Sequence, residues 1–153
     1  MKKNRIHHPS IGRLLGMINH QGNIYFMHAF KDIPIGHAQI FTLHHLIHHD
    51  GISQKHLTKY TKLDKSSIAS QLHYLEKNGY LYRKQSPDDA RVLNIYVTEK
   101  TRSMEKELNE IFQNWSRILL NGFDEDEQKE VQFILLRMLE NAQLKIKEIK
   151  NEK

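Results

Sequence analysis

Residues 51–98 read GISQKHLTKYTKLDKSSIASQLHYLEKNGYLYRKQSPDDARVLNIYVT, and the order of patterns in this stretch decides the fold. Ile52-Ser53-Gln54-Lys55-His56-Leu57 opens a short helical pattern that runs to Tyr60. Leu63-Asp64-Lys65-Ser66-Ser67-Ile68 then turns into a second helix. Asp64 suits its N-cap, because a carboxylate there accepts from the free N–H groups of the first turn. Ile68, Leu72 and Leu75 recur at helical spacing and form one apolar stripe. Asn78-Gly79 stops the helix, since glycine takes the left-handed conformation that ends helices. Two short helices joined by a tight turn make a helix-turn-helix. Next, Tyr80-Leu81-Tyr82-Arg83-Lys84 and Val92-Leu93-Asn94-Ile95-Tyr96-Val97 alternate apolar with polar and are rich in β-branched and aromatic residues. Between them, Ser86-Pro87-Asp88-Asp89-Ala90-Arg91 has turn chemistry. A helix-turn-helix followed by a β-hairpin is a winged helix.

Outward from that stretch the chain is helical. Upstream, residues 10–31 carry Ile11, Leu14, Leu15, Ile18, Gly22, Tyr25 and Ala29 at steps of three and four, with Ser10 as the cap. Gly12, Gly16 and Gly22 weaken this helix by roughly 1 kcal/mol each relative to alanine, so it needs partners. Asp32-Ile33-Pro34-Ile35-Gly36 breaks the chain before a helix over about 37–49 that ends at Asp50-Gly51. Ile52-Ser53 is expected as a very short strand at the base of the wing. Downstream, Thr98 is expected to begin one helix running to about Leu120, with Met104, Leu108, Ile111, Trp115, Ile118 and Leu119 in period and Asn121-Gly122 as the stop. Asp124 with Glu127 starts the last helix as a capping box, and its stripe is Val131, Leu135, Met138, Ala142, Ile146 and Ile149. The tail from Lys150 is charged and expected to fray. The fold class is therefore mainly α with a small β-hairpin. Burying each Leu or Ile is worth roughly 1.5–3 kcal/mol, and one small winged helix cannot cover the apolar faces of all three flanking helices. A symmetric dimer in which they interleave is the economical solution.

Composition narrows the function. The 153 residues suit one domain with a modest core, and the formal net charge is +5. Residues 51–98 hold eight Lys/Arg against four Asp/Glu, leaving the remainder near +1. The basic excess thus sits on the winged helix, where duplex affinity requires it. There is no cysteine, which excludes disulfides, thiolate metal sites and thiol redox sensing. No segment is apolar enough to cross a membrane, and Met1-Lys2-Lys3-Asn4-Arg5 is not followed by a signal-peptide core, so a cytoplasmic location is expected. No nucleophile–base–acid constellation or phosphate loop supports an enzyme, and no cofactor is expected.

The winged-helix stretch strongly resembles the multiple-antibiotic-resistance regulator (MarR) family. The matching residues are Asp64-Lys65-Ser66-Ser67 at the recognition-helix start, Leu75-Glu76-Lys77-Asn78-Gly79-Tyr80-Leu81 at its exit, Asp89-Ala90-Arg91 in the wing and Val97-Thr98-Glu99-Lys100 beyond. Ile35-Gly36-His37-Ala38-Gln39-Ile40 resembles the family's start of the preceding helix, although the family usually has Thr or Ser where Gly36 stands. The resemblance implies a single domain over 1–153, with a winged helix-turn-helix over 37–97 and dimerisation helices over 10–36 and 98–150. It implies a homodimer whose two recognition helices meet a pseudo-palindromic double-stranded DNA operator. The expected DNA contacts are Lys65, Ser66, Ser67, Ser70, Gln71 and Tyr74 on the recognition helix, Arg83 and Lys84 on phosphates, and Asp89 and Arg91 at the wing tip. Short hydroxyls and a helix N-terminus suit phosphate and base edges. Arg91 suits a narrow minor groove, with Asp89 holding its guanidinium. The family often has Arg where Ser70 and Tyr74 stand.

Nine of the eleven histidines lie in the first fifty residues. His44 with His48, and His45 with His49, are i,i+4 pairs that can chelate a metal, but no cysteine and no histidine after His73 completes the set. The alternative is a solvated helix face with one or two partly buried rings. In the family, small effectors bind between the dimerisation helices and the winged helix, which makes His20, Tyr25, His28, Phe41 and His45 the candidate effector residues. The reading is a dimeric transcriptional regulator, a repressor released by a small-molecule effector. A zinc-responsive repressor using the histidines, and an effector-independent DNA binder, are the alternatives.

Overall fold

The computed structural model describes residues 9–61 and 63–151. The basic start Met1-Lys2-Lys3-Asn4-Arg5, Lys62 and the last two residues of the charged tail lie outside them. The elements run α1 (Ile11–Ala29), α2 (His37–His48), β1 (Ile52–Ser53), α3 (Gln54–Thr61), α4 (Lys65–Lys77), β2 (Leu81–Gln85), β3 (Leu93–Val97), α5 (Glu99–Arg102), α6 (Glu105–Leu119) and α7 (Glu125–Asn151). The chain divides into two compact units, one up to Trp115 and one from Ser116.

In the first unit the core is built by α2, α3, α4 and the wing. Ile40, Leu43 and Leu46 of α2, Leu57 of α3, Ile68, Leu72 and Leu75 of α4, Ile95 of β3 and Leu108 of α6 are all fully buried. The stripe read at helical spacing on α4 is therefore the face that packs inward. Gly79 follows the C-cap Asn78 with φ +72, the left-handed conformation that a side chain resists. The sheet has the order β1-β3-β2 with both pairs antiparallel. Ile52 faces Ile95, Leu81 faces Val97, and Tyr82 faces Tyr96 in that register. Tyr80, read as the first strand residue, instead precedes β2 as a buried plug, and its backbone N–H donates to Leu75 O at 2.9 Å.

Ser10 caps α1 as read, accepting from the Arg13 N–H at 3.3 Å. The two ends of α1 differ. Phe26 is buried, but Ile11, Leu14, Leu15 and Ile18 are 41–57% exposed. Gly22 is more than a weak helix former: a Cβ there would lie 3.2 Å from the Trp115 ring, so the glycine admits the indole. Gly36 starts α2 without any side-chain cap bond, as its lack of a hydroxyl requires.

The single helix expected from Thr98 to Leu120 is two helices. α5 ends at Arg102 and α6 starts at Glu105. Two bonds mark the joint: Met104 N–H bonds back to Thr101 O at 3.0 Å, one residue short of the α-helical partner, while the Ser103 hydroxyl donates to Lys100 O at 2.7 Å. Apolar periodicity runs through such a joint and does not reveal it.

The second unit begins within α6 and contains α7. The capping box is complete: Glu127 N–H donates to Asp124 Oδ1 at 2.9 Å, and Asp124 N–H donates to Glu127 Oε2 at 2.8 Å. No described residue of α7 is buried. Phe133, Leu135, Leu136, Leu139, Leu144 and Ile146 are each at least 45% exposed. Among the described residues, no helix is long and apolar enough to cross a membrane.

Candidate nucleic-acid interface

The N-terminus of α4 is organised around Asp64. Its carboxylate accepts the Ser67 N–H at 2.8 Å and the Ser67 hydroxyl at 2.6 Å, and it also accepts the Ser66 hydroxyl. These hydrogen bonds, the serine hydroxyls first, hold the Asp64 carboxyl well below the usual carboxylate range. The finding changes the roles expected of Ser66 and Ser67. Their hydroxyl protons are committed to Asp64, and a carboxylate already occupies the place at the helix end where a phosphate would sit. What the two serines still offer outward is acceptor lone pairs.

The outward face of α4 carries Lys65, Ser70, His73, Tyr74 and Lys77, all exposed. Three sides of chemistry are thus presented: cations at both ends, a hydroxyl and an imidazole in the middle, and a phenol ring. Gln71 lies off that face. Its Oε1 accepts the hydroxyl of buried Thr42 at 2.5 Å, so the carboxamide links α4 to α2.

In the wing, the Asp89–Arg91 pair forms as read. Asp89 Oδ1 accepts the Arg91 N–H at 3.0 Å and Nε at 3.1 Å, and Oδ2 accepts Nη2 at 3.4 Å. Those bonds lower the Asp89 pKa, the backbone one most. The Arg91 side chain is 90% exposed, a guanidinium held in one pose above an open tip. Lys84 is exposed on β2. Arg83 has a partner within the chain. It faces inward, with Nε 3.4 Å from Glu76 Oε2 at the end of α4, an ion pair without hydrogen-bond alignment. Arg83 therefore braces the wing against the recognition helix.

The histidines of α2 are engaged within the protein. His44 Nε2 and His48 Nε2 both approach Asn109 Oδ1, at 3.0 and 2.9 Å. An amide oxygen only accepts, so Nε2 is the donor in each ring, and the lone pair of a neutral ring then lies on Nδ1. Burial lowers the His44 pKa. His45 lies under Tyr60, with ring centroids 3.5 Å apart, and stacks on His49 at 4.3 Å. Asp50, the one carboxylate at the end of α2, is taken up too: Oδ1 accepts the Val97 N–H at 2.8 Å, and Oδ2 pairs with Arg102. Among the described residues no three His, Asp or Glu side chains are grouped so as to hold a metal ion.

The five effector candidates separate. Tyr25 and Phe41 both contact Phe26, at 5.3 and 5.1 Å, in an aromatic cluster that includes Phe30, Phe112 and Trp115. The Tyr25 hydroxyl donates to Ile111 O at 3.2 Å. His45 belongs to the Tyr60 stack instead, and His20 and His28 are exposed on α1.

The comparisons with known proteins agree with this geometry. The MarR family profile matches residues 33–92, from the approach to α2 to the far side of the wing tip. An uncharacterised HTH-type transcriptional regulator of Bacillus subtilis (strain 168), YybA, is 23% identical over 131 residues, covering 86% of this chain and 87% of its own. A MarR transcriptional regulator from Methanosarcina mazei Go1 superposes with a TM-score of 0.78 at 32% identity, over 89% of this chain and 97% of that one. A regulator from Listeria monocytogenes solved in complex with 26mer DNA shares the fold at TM-score 0.80 and 24% identity, over 88% of this chain and 89% of that one. A winged helix with a capped recognition helix, an Asp-x-Arg wing tip and a relative one-third identical along nearly its whole length lead to one conclusion: the chain belongs to the MarR family of transcriptional regulators.

Proposed function

We propose that the protein is a homodimeric repressor that binds double-stranded DNA in the cytoplasm and is released by a small-molecule effector. The observation that carries the DNA reading is the pairing of two exposed features on one unit. These are the polar row Lys65, Ser70, His73, Tyr74 and Lys77 on α4, and the pinned Arg91 at the wing tip. A recognition helix lies in a major groove and places its outer side chains on base edges, while an arginine at a hairpin tip suits the neighbouring minor groove. On this reading Lys65, Ser70 and Tyr74 touch DNA directly, Lys84 touches phosphate, and Ser66 and Ser67 serve mainly to set the helix start.

The dimer reading is supported by the apolar residues left in water on α1 and α7, which residues 10–36 and 98–150 would bury against a second copy. A two-fold dimer would read a pseudo-palindromic operator through residues 37–97. The effector reading is supported by the aromatic cluster around Phe26, where Phe41 is still 44% exposed. An effector acts only if it binds the DNA-incompetent state better than the competent one.

The direct test is selection of duplexes from a random pool, followed by titration of the recovered duplex and a scrambled one at matched salt. Selective binding is expected; equal binding to both would remove the sequence-reading function. Sedimentation at micromolar concentration should give twice the 18.2 kDa chain mass, and a monomer that binds the selected duplex tightly would remove the dimer. Arg91→Ala should weaken binding to the selected duplex by about 2 kcal/mol, roughly thirtyfold, with an unchanged thermal midpoint because the side chain is exposed. Unchanged affinity would show that the wing does not enter a groove.

A further inference from the structure

We propose that Lys100 and Thr101 of α5 are positioning residues for the recognition helix: they hold its C-terminal exit and so set the pose in which α4 meets DNA. The inference rests on the DNA-binding reading above. A helix ends with carbonyls that have no partner within it. Just past α4, three consecutive carbonyls are taken up by residues far along the chain. Asn78 O accepts Lys100 Nζ at 3.0 Å. Gly79 O accepts the Thr98 hydroxyl at 2.8 Å. Tyr80 O accepts the Thr101 hydroxyl at 2.5 Å and the Thr98 N–H at 3.1 Å, and the Thr98 hydroxyl oxygen lies 3.2 Å from it.

Lys100 does a second thing. Its ammonium lies 3.8 Å from the centroid of the Tyr80 ring, the buried plug that follows the helix. A cation at this point also opposes the partial negative charge of the helix C-terminus. The other side of α5 is equally fixed. Arg102 pairs with Asp50, which in turn accepts the Val97 N–H of β3. Met104 N–H returns to Thr101 O, and one turn later Leu108 of α6 is fully buried. The exit of α4, the inner strand of the wing and the first turns of α6 are thereby tied through one four-residue helix. Four residues cannot hold a helix by themselves, so α5 exists because of these contacts.

The contacts are redundant for folding but not for pose. Tyr80 O also accepts the Thr98 N–H, so removing the Thr101 hydroxyl leaves no buried carbonyl unpaired. Lys100 is exposed, and its loss opens no cavity. What changes is how tightly the end of α4 is held while its outward face lies against DNA. Base-edge contacts depend on that pose, whereas phosphate attraction does not.

The test uses the full-length protein with Lys100→Met, Thr101→Val, the two combined, and Thr101→Ser as the conservative variant. Each is titrated with the duplex selected by the unaltered protein and with a scrambled duplex of the same composition. The double variant should lose about tenfold in affinity for the selected duplex and stay within about twofold on the scrambled one, while Thr101→Ser keeps both. A double variant that folds and keeps the full ratio overturns the proposal. So does an equal loss on both duplexes, which would make Lys100 a plain phosphate contact. If Thr101→Val fails to fold, Lys100→Met decides alone: about a threefold fall in the ratio supports the proposal, and an unchanged ratio overturns it. Failure of the unaltered protein to distinguish the two duplexes is a separate result, and overturns the DNA reading itself.

Discussion

Acidification from about pH 7 to about pH 4 should cost the winged helix roughly 2–3 kcal/mol through one side chain, His45. Its ring is 6% exposed, and its Nε2 is buried without a hydrogen-bond partner. Burial first, then the neighbouring imidazoles of His49, His56, His44 and His48, push its pKa down from 6.5 to about 4. The unfolded chain therefore binds a proton between those two values that the folded chain does not. Stability is full above about pH 6.5, falls as pH drops toward 4, and levels off below it. The full shift would correspond to a little more than 3 kcal/mol, but His45 lies under only one layer of exposed rings, Tyr60 and His49, and solvent screening through that layer reduces it to roughly 2–3 kcal/mol. Urea unfolding across this range should show the loss in the natural protein and a much flatter profile in His45→Phe, which keeps an aromatic ring in the stack and cannot titrate. Some slope should remain from His44, whose pKa is lowered by burial as well. Identical profiles for the two proteins would show that His45 is not the group that acid attacks.

Leu135→Asp on α7 should convert the proposed dimer to monomers and abolish tight binding to the selected duplex. Leu135 is 45% exposed in the single chain and lies on the stripe with Met138, Ala142 and Ile146. A carboxylate placed there would be buried without a partner on association, at a cost of about 4 kcal/mol per interface side chain, close to a thousandfold in the dimer dissociation constant. Two-fold symmetry places the substitution twice, which makes the loss larger. Sedimentation should show the 18.2 kDa species at concentrations where the natural protein is expected at twice that mass. A Leu135→Asp protein that remains dimeric would move the interface away from this stripe.

The parts of the fold fixed by local chemistry were legible in the sequence. Asp64 caps α4, Gly79 ends it, Asp124 with Glu127 opens α7, and Asp89 pins Arg91; each needs only a few neighbouring residues. The stripe Ile68, Leu72, Leu75 was legible because helical spacing alone gives it. What stayed hidden depends on contacts between distant residues. Gln71 turns toward Thr42, Arg83 toward Glu76, and the His44–His48 pair toward Asn109, which is 65 and 61 residues away. Side-chain type gave each of these a reasonable outward role, and packing gives each a partner within the chain. The joint between α5 and α6 was missed for a related reason. Thr101 is a small polar residue in an apolar period, and the signal was its burial on Tyr80 O, which no spacing rule supplies.

The carboxylate at the tip of α4 has a consequence for how the protein searches for its site. Asp64 fixes a negative charge at the end of a helix that, on the reading above, approaches a polyanion. Backbone phosphates repel that tip, so a complex on the wrong sequence is gripped chiefly by the wing and by lysines on the flanks of the helix. Such a grip is loose and short-lived, and it favours rapid departure from non-cognate stretches. On the proposed contacts, the dwell time would lengthen only where the row from Lys65 to Lys77 finds matching base edges, since differences among related complexes fall mainly on the dissociation rate. A residue that looks like simple helix chemistry thus tilts the balance between wandering and stopping.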